Sequence, residues 1–242
     1  LPESAYGRLL ERCRARRILF LSTPFDEESA DFLERLEMFA FKIPSGEITN
    51  LPFLAHIAAK RKPMIISTGM ADLGEVESAV RVIRSTGNDQ IVLLHCVSNY
   101  PADAISVNLR AMATMAAAFG VPIGYSDHTE GNAVALAAVA LGACVIEKHF
   151  TMDRRLPGPD HASSLEPHEL AALVRDIRRV EAALGDGQKV PAPAEMATAG
   201  AARKSLVAAC DIPPGTVLTE AMIVIKRPGI GLPPAMRPYV IG

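Results

Sequence analysis

Residues 64–95 read MIISTGMADLGEVESAVRVIRSTGNDQIVLLH, and this stretch decides the fold. Both of its ends are short and almost entirely apolar, which suits parallel strands that are covered on both faces. Between them, apolar residues recur at helical spacing, at Val76, Ala79, Val80 and Ile83. Asp72 and Glu75 stand three residues apart where this pattern begins, as in a capping box, so the sequence predicts a helix over Leu73–Ser85.

The same strand–helix unit recurs along the chain. The predicted strands are Ile18–Ser22, Ala40–Pro44, Met64–Ser67, Ile91–His95, Pro122–Tyr125 and Cys144–Lys148. Further helices are predicted over Glu28–Phe39 and from Pro167 to Leu184. Because successive strands begin roughly 20–30 residues apart, each unit has the length of a compact βα unit, which predicts a parallel α/β fold.

Polar residues follow every predicted strand. In a doubly wound sheet the ligand-binding groups concentrate where the strand order reverses, whereas a barrel collects them from all strands around one mouth. The even distribution favours a (β/α)8 TIM barrel, assigned to residues 1–189. Since only six units are predicted, we expect two further strands upstream of Leu1.

The last part of the chain has a different composition. Residues 190–200 are rich in Pro and Ala and are predicted to form a linker. Residues 201–242 contain two short apolar runs, Ser205–Ala209 and Met222–Lys226, separated by a Pro-Pro-Gly turn, which predicts a small β-rich domain. Few elements are formed before Gly242, so we expect this domain to be incomplete.

Composition excludes several classes of protein. Of the 242 residues, 49% are hydrophobic and 21% are charged, which excludes disordered and coiled-coil chains. The net charge of −2 is too balanced for a nucleic-acid-binding or polybasic membrane surface. No apolar run approaches the ~20 residues that a membrane span needs. The 4 cysteines show no Cys-x-x-Cys spacing, so we expect a reduced, cytoplasmic protein.

Two histidines are candidate metal ligands. His128 and His149 follow consecutive predicted strands, and neighbouring strand ends in a barrel would bring their imidazoles together. Asp160, in the loop after the last predicted strand, is within reach of the same mouth. Two imidazoles with few carboxylates suit a divalent ion that keeps positions open for substrate oxygen atoms. The alternative is that each histidine only ends its strand.

Lysine and hydroxyl side chains at the other strand ends indicate an anion site, at Lys42, Ser45, Ser67, Thr68 and Ser126. They are typical of a cradle for a phosphate or a carboxylate, although hydroxyl groups also end strands routinely. Glu47 is a candidate acid, base or sugar-hydroxyl partner, or else a solvated loop carboxylate. Cys96 is predicted to be a buried thiol rather than a nucleophile. No phosphate-binding loop or GxGxxG motif is present, which argues against an ATP or nicotinamide enzyme.

Motifs that occur in a fixed order are more specific than any of these single residues. They are Ser22-Thr23-Pro24-Phe25, Lys42-Ile43-Pro44-Ser45-Gly46-Glu47-Ile48, Ser67-Thr68-Gly69-Met70, His95-Cys96-Val97-Ser98-Asn99-Tyr100-Pro101, Gly124-Tyr125-Ser126-Asp127-His128-Thr129, Glu147-Lys148-His149-Phe150-Thr151 and Pro157-Gly158-Pro159-Asp160. Together they closely resemble the sialic acid synthase family, which includes N-acetylneuraminate synthase and its legionaminic and pseudaminic relatives. The segment from residue 201 resembles that family's antifreeze-like (SAF) domain, on Ile212-Pro213-Pro214-Gly215 and Lys226-Arg227-Pro228-Gly229.

The resemblance implies a transferase that condenses phosphoenolpyruvate with N-acetylmannosamine or a related acetamido hexose and releases phosphate. It implies that His128 and His149 act in catalysis by holding Mn²⁺, with Mg²⁺ or Co²⁺ as alternatives. The residues implied to bind phosphoenolpyruvate are Thr23, Lys42, Ser45, Ser67 and Ser126. Those implied to line the sugar pocket are Glu47, Tyr100 and Asp160, with Glu47 also the candidate carboxylate for positive charge at C2. Arg227 would enter a partner subunit's site, which implies a domain-swapped homodimer.

The sequence departs from the family pattern in two ways. The pattern begins with two strands that carry a catalytic glutamate and a phosphate-binding lysine, and neither is in the sequence. Ser98 stands where relatives often have Asn, which affects one substrate contact. Two rival interpretations stay open. One is a different metal-dependent barrel, an aldolase or amidohydrolase, which would need a third protein ligand for the metal or a Schiff-base lysine within a strand, for which Lys148 is the candidate. The other is a non-catalytic sugar-binding or regulatory subunit.

Overall fold

The computed structural model of the protein describes residues 2–242 and divides into two compact units, the first ending at Gly185 and the second spanning Asp186–Gly242. Leu1 and the strands expected before it lie outside the described residues. The first unit is a parallel β-sheet with helices between its strands. These strands are β1 (Phe41–Ile43), β2 (Met64–Ser67), β3 (Ile91–Cys96), β4 (Ile123–Asp127) and β5 (Ile146–Lys148).

The spatial order of the strands is their order along the chain, β1-β2-β3-β4-β5, and every pairing is parallel. A sheet without a reversal of strand order has the connectivity of a barrel rather than of a doubly wound sheet. The predicted parallel α/β class is therefore confirmed. Because the strands are parallel, all their carboxyl ends lie at the same end of the sheet. The polar residues that follow the strands therefore lie at that end.

The prediction of a strand over Ile18–Ser22 is wrong. This segment pairs with no strand in residues 2–242, and its Phe20 ring packs edge-on against Tyr6 with 6.0 Å between centroids. Ile18 and Leu19 are 61% and 71% exposed. An apolar run becomes a strand only where a neighbouring strand satisfies its backbone hydrogen bonds, and the described part of the chain offers none at this position.

The helices of the first unit alternate with its strands. They are α1 (Glu3–Arg16), α2 (Glu27–Arg35), α3 (Leu51–Ala59), α4 (Leu73–Ser85), α5 (Ala104–Val107), α6 (Ala111–Phe119), α7 (Ala133–Ala140) and α8 (Pro167–Leu184). α4 begins with the predicted capping box: the Asp72 carboxylate accepts the Glu75 N–H and the Glu75 carboxylate accepts the Asp72 N–H, each at 2.9 Å. α2 ends before the predicted Phe39 because Glu37 has a left-handed conformation (φ 58°), which interrupts an α-helix.

The core of the first unit lies between the sheet and its helices. Its fully buried side chains include Phe41, Ile43, Met64, Ile66, Leu93, Leu54, Ile57 and Ile83. Burial of each such side chain contributes about 1.5–3 kcal/mol relative to exposure. This packing fixes the strands, and with them the polar residues at their carboxyl ends.

The second unit contains an antiparallel pair of strands, β6 (Ser205–Ala208) and β7 (Ile223–Lys226). These strands agree with the small β-rich domain predicted from the sequence. Two short helices, α9 (Met196–Ala202) and α10 (Arg237–Val240), accompany them. α9 differs from the predicted linker over residues 190–200 because its sequence, MATAGAA, is rich in Ala, the strongest helix former.

Two further facts concern the whole of residues 2–242. No helix there combines the length and the apolar character that crossing a bilayer requires. Cys13, Cys96, Cys144 and Cys210 are free thiols.

Candidate functional site

A pocket of about 690 Å³ lies at the carboxyl ends of the parallel strands. Its volume is within the range of pockets that bind small molecules. The predicted site residues that line it are Thr23, Lys42, Ser45, Ser67, Ser98, Tyr100, Ser126, His128 and His149. Cys96, Glu147 and Lys148 also border it. Side chains that are distant in sequence meet here because each belongs to the end of a different strand or to the loop that follows it.

Lys42 supplies a positive charge to this pocket. Its Nζ donates to Ser67 Oγ and to the Ile43 carbonyl, both at 2.9 Å, and lies 3.4 Å from a carboxylate oxygen of Glu147. Burial lowers the pKa of Lys42, and the Glu147 carboxylate opposes that shift in part. A partly desolvated ammonium beside hydroxyl groups can bind a phosphate or a carboxylate.

Glu147 is a pocket residue without a predicted role. Its carboxylate accepts a 2.7 Å hydrogen bond from Ser126 Oγ and faces Lys42. Ser126 and Glu147 are direct partners in the register of β4 and β5. The sequence does contain a signal for this placement: Glu147 stands two residues before His149 at a strand end, and alternate residues of a strand share a face.

His128 and His149 lie side by side, with 5.2 Å between ring centroids, as the positions of the two strand ends predict. Nδ1 of His128 lies 2.7 Å from the Val97 carbonyl oxygen and therefore carries a hydrogen, which leaves Nε2 as the free nitrogen of the neutral ring. Tyr100 packs against both imidazoles, with centroid distances of 4.1 Å to His128 and 5.5 Å to His149.

The surroundings shift the pKa values of the two imidazoles in opposite directions. Burial lowers the pKa of His149, and the neighbouring His128 lowers it further. Burial also acts to lower the pKa of His128, but its contacts with Cys96 and the Val97 carbonyl outweigh burial and raise that pKa. His149 is therefore the more readily neutral of the two, and the neutral imidazole is the form that binds a metal ion.

Cys96 is the buried thiol that the sequence predicts, with 6% of the residue exposed. Its Sγ lies 3.6 Å from Ser45 Oγ and 3.8 Å from His128 Nδ1. Burial alone would raise the pKa of this thiol, but hydrogen bonds with His128 and Ser45 outweigh burial and lower it.

Glu47, Asp160 and Arg227 do not line the pocket. Glu47 lies in a short turn after β1, where its carboxylate accepts a 2.7 Å hydrogen bond from Asn50 Nδ2. The pKa of Tyr100 is raised first by burial and then by negative charges, that of Asp160 among them. Arg227 is exposed and belongs to the second unit.

Lys148, the Schiff-base candidate of the rival aldolase interpretation, has a side chain that is 3% exposed. Its Nζ donates to Asp127 Oδ2 at 2.7 Å and to the Thr129 carbonyl at 2.6 Å. An amine engaged in this way is not free to attack a carbonyl carbon, so the geometry argues against a Schiff base at this lysine.

This arrangement defines a class of protein: an enzyme that binds a small anionic substrate at the carboxyl ends of the strands of a parallel α/β sheet. Comparison with known families identifies the chain more closely. It belongs to the NeuB family, whose model matches residues 1–189, and a SAF domain model matches residues 203–238.

Named relatives extend over most of the chain. The N,N'-diacetyllegionaminic acid synthase of Campylobacter jejuni is 51% identical over 234 residues, which cover 96% of this chain and 70% of that protein. The human N-acetylneuraminate-9-phosphate synthase is 42% identical over 210 residues, which cover 86% of this chain and 58% of that protein. The crystal structure of the N-acetylneuraminic acid (sialic acid) synthetase from Leptospira borgpetersenii matches with a TM-score of 0.77 at 39% identity, covering 82% of this chain and 69% of that one. The resemblance to the sialic acid synthase family is thus confirmed.

Proposed function

We propose that this protein condenses phosphoenolpyruvate with N-acetylmannosamine or a related acetamido hexose, releasing inorganic phosphate and forming a nine-carbon sugar acid. Relatives at 51% and 42% identity are named as synthases of N,N'-diacetyllegionaminic acid and of N-acetylneuraminate 9-phosphate. The observation that carries the proposal is that one pocket holds both a lysine–hydroxyl wall and an imidazole pair.

The anionic groups of phosphoenolpyruvate fit the wall of the pocket that contains Lys42. The hydroxyl groups available beside that ammonium are those of Thr23, Ser45, Ser67 and Ser126. Charge-assisted hydrogen bonds contribute about 1.5–3 kcal/mol each. When phosphate leaves, the same groups stabilise the negative charge that it carries away.

A divalent cation, Mn²⁺ with Mg²⁺ and Co²⁺ as alternatives, fits the imidazole pair. Among residues 2–242 no group of three or more His, Cys, Asp or Glu side chains is arranged to hold a metal ion, so the protein would supply two nitrogen ligands. Two imidazoles on one ion have ring centroids about 5 Å apart at ordinary metal–nitrogen distances, and the centroids of His128 and His149 are 5.2 Å apart. When bound, the ion would act as a Lewis acid on the sugar aldehyde.

Glu147 is the carboxylate that this pocket offers to the reacting carbons. Attack of C3 of phosphoenolpyruvate on the aldehyde carbon leaves positive charge at C2, which a nearby carboxylate stabilises until water adds there. Glu147 faces the pocket beside Lys42 and Ser126, whereas Glu47 is hydrogen-bonded to Asn50. We therefore assign this role to Glu147, because the placement of Glu47 does not fit it.

The sugar is proposed to lie over the imidazole pair. Tyr100, which is 46% exposed, stacks there and can contact the ring of a sugar, while Ser98 lines the same pocket. Asp160, near Tyr100, is proposed to accept hydrogen bonds from sugar hydroxyl groups.

A closed (β/α)8 barrel would complete this pocket. In the described residues, the outer edge of β1 has no strand beside it. Large apolar side chains in the segments before β1 are exposed: Ile18 61%, Leu19 71%, Phe25 68% and Phe39 63%. An open strand edge with exposed apolar neighbours can pair with further strands. Five parallel strands are described, so a barrel of eight needs three more. We propose that two additional strands cover this edge in the whole protein and that Ile18–Ser22 then pairs as the third.

Arg227 of a second copy is proposed to complete the sugar site in a domain-swapped homodimer. No arginine lines the pocket within residues 2–242, and Arg227 is exposed in the second unit. We place the reaction in the cytoplasm, where free thiols stay reduced.

The test combines the protein with Mn²⁺, phosphoenolpyruvate and, in turn, N-acetylmannosamine and related acetamido hexoses. We expect inorganic phosphate and a nine-carbon acid in equal amounts, measured by phosphate assay and mass spectrometry, and neither when the sugar is omitted. Absence of both products with every sugar, in a protein that includes the additional strands, would contradict the proposal.

A further inference from the structure

A buried ion pair lies next to the two imidazoles. Asp127 ends β4 and Lys148 ends β5, and the two are direct partners in the register of these strands. Lys148 Nζ donates to Asp127 Oδ2 at 2.7 Å, and the two side chains are 3% and 0% exposed. On each strand a site histidine comes next, His128 after Asp127 and His149 after Lys148. The ion pair is therefore one residue from the imidazole pair on both strands.

The side chains of this pair lie on the opposite face of the strands from Ser126 and Glu147, although Lys148 also borders the pocket. Side chains alternate along a strand, and the preceding register pair, Ser126 with Glu147, forms its hydrogen bond in the pocket. Tyr125, two residues before Asp127, is 1% exposed, and its hydroxyl donates to Asp127 Oδ1 at 3.2 Å. The Lys148 ammonium is thus held by Asp127 and the Thr129 carbonyl and is not a free donor for a substrate.

The same pair holds Thr129, the residue that follows His128. Asp127 Oδ1 accepts the Thr129 N–H and the Thr129 hydroxyl, both at 2.8 Å. Lys148 donates to the Thr129 carbonyl at 2.6 Å, and the His128 carbonyl accepts the Ala102 N–H at 2.9 Å. The turn that carries His128 is consequently fastened to the end of β5, the strand that carries His149.

We propose that Asp127 and Lys148 are positioning residues that set the separation and orientation of His128 and His149. The catalytic consequence rests on the proposed function, whereas the positioning of the rings can be tested without it. Groups that orient metal-binding imidazoles from outside the coordination sphere typically change metal affinity or activity by about 10- to 100-fold when they are removed. An ion pair that only stabilised the fold would leave both imidazoles in place.

The decisive variants remove the pair in different ways. Lys148→Met removes the ammonium and keeps the apolar stem, but it leaves a buried carboxylate alone, which strongly destabilises a protein. The double variant Asp127→Asn with Lys148→Met leaves no unpaired charge. Thr129→Val removes one hydroxyl donor to Asp127 and no charge, so it keeps the test available if the other variants do not fold.

The control is Lys60→Met, which breaks a comparable ion pair elsewhere. The Lys60 side chain is 8% exposed and contacts the carboxylates of Asp31 and Glu34 on α2. None of these residues lines the pocket. This variant therefore shows what loss of a mostly buried lysine does to the fold alone.

The measurements are Mn²⁺ titration of the full chain by electron paramagnetic resonance and ¹H–¹⁵N spectra of the histidine rings in the metal-free protein. We expect the double variant to bind Mn²⁺ about 10- to 100-fold more weakly and to shift the ring resonances of His128 and His149, with smaller changes in Thr129→Val. Lys60→Met is expected to leave both measurements unchanged. Unchanged ring resonances and Mn²⁺ affinity in a folded double variant would overturn the positioning role.

Failure of the proposed function gives a different result. A wild-type protein that neither binds Mn²⁺ nor forms product contradicts that function. The histidine ring resonances of the metal-free variants still decide whether Asp127 and Lys148 position the imidazoles.

Discussion

Two clusters in the first unit each combine lysine, histidine and carboxylate groups and differ in what they can bind. The pocket cluster consists of Lys42, Ser67, His128, Glu147 and His149, and the helix cluster consists of Asp31, Glu34, His56 and Lys60. In the helix cluster the basic side chains already have carboxylate partners: Lys60 contacts Asp31 and Glu34, and His56 Nε2 lies 2.7 Å from Asp31. In the pocket cluster Lys42 has one carboxylate at 3.4 Å and donates to two neutral oxygens at 2.9 Å.

The pKa directions of the two lysines show the same difference. Burial lowers the pKa of Lys60, but hydrogen bonds with Asp31 and Glu34 outweigh burial and the pKa is raised. For Lys42 burial is the stronger effect, and the pKa is lowered. An anionic substrate gains more from Lys42, because it replaces neutral acceptors with a charged one. Binding capacity therefore depends on which partners a lysine lacks, and not only on its presence beside acidic residues.

Substitution of His128 or His149 is expected to have the largest effect, which is on turnover. His128→Ala or His149→Ala removes one of the two proposed metal ligands, and metal-dependent turnover should fall about a thousandfold or more, because a Lewis acid contributes several kcal/mol to the transition state. Phosphate release measures the turnover. His56→Ala in the helix cluster is the control and should stay within about twofold of wild type. Undiminished turnover in both pocket variants would remove the metal assignment.

Substitution of Lys42 is expected to have the next largest effect, which is on KM for phosphoenolpyruvate, and Lys60 provides the comparison. Lys42→Met should raise KM for phosphoenolpyruvate by about 10- to 100-fold, since it removes a charge-assisted hydrogen bond to the anion. Lys60→Met should leave KM unchanged and lower the free energy of unfolding by about 1 kcal/mol. Steady-state kinetics and urea unfolding of both variants check this pair of outcomes. Equal KM values for the two variants would mean that the clusters do not differ as described.

A smaller effect is expected from Ser67→Ala. The Ser67 hydroxyl is buried and accepts the Lys42 hydrogen bond at 2.9 Å, so its loss leaves Lys42 less well oriented. KM for phosphoenolpyruvate should rise by about two- to tenfold, the effect of one neutral hydrogen bond. Ser78→Ala, on the exposed face of α4, is the matched control and should leave KM as it is. A Ser67 variant with wild-type KM would remove this serine from the anion site.

The sequence predicts the sheet better than it predicts the edges of the sheet. Met64–Ser67 and Ile91–His95 are apolar on both faces and flank a helix with its own cap, so strand and helix are decided locally. Ile18–Ser22 has the same composition, yet it pairs with no strand in residues 2–242. A strand depends on its neighbour, and composition does not reveal whether that neighbour is present.

Some features of the site could likewise be predicted from the sequence and others could not. The proximity of His128 and His149 could be predicted because the carboxyl ends of neighbouring parallel strands lie side by side. The two glutamates could not be distinguished, since Glu47 and Glu147 both occur beside a strand end. The turn after β1 directs the Glu47 carboxylate to Asn50, while Glu147 lies within β5 and faces Lys42. The difference between the two glutamates depends on where each strand ends, which the sequence does not give to the residue.

The smallest predicted effect concerns the pH dependence of the helix cluster. Hydrogen bonds from Lys60 and then His56 lower the pKa of Asp31 below its ordinary value of 3.8. A carboxyl group with a lower pKa in the folded state binds protons less readily there, so its contribution to stability is present above pH 3.8 and is lost as pH falls through the folded pKa.

Asp31→Asn removes this dependence while leaving the pocket cluster intact. The difference between wild type and variant in the free energy of urea unfolding should be largest near neutral pH. It should shrink as the pH falls below the ordinary aspartate pKa of 3.8. Turnover near neutral pH should not change, because the helix cluster is proposed to bind no substrate. A difference in unfolding free energy that stays constant down to strongly acidic pH would show that Asp31 stabilises the helices by its shape and not by its charge.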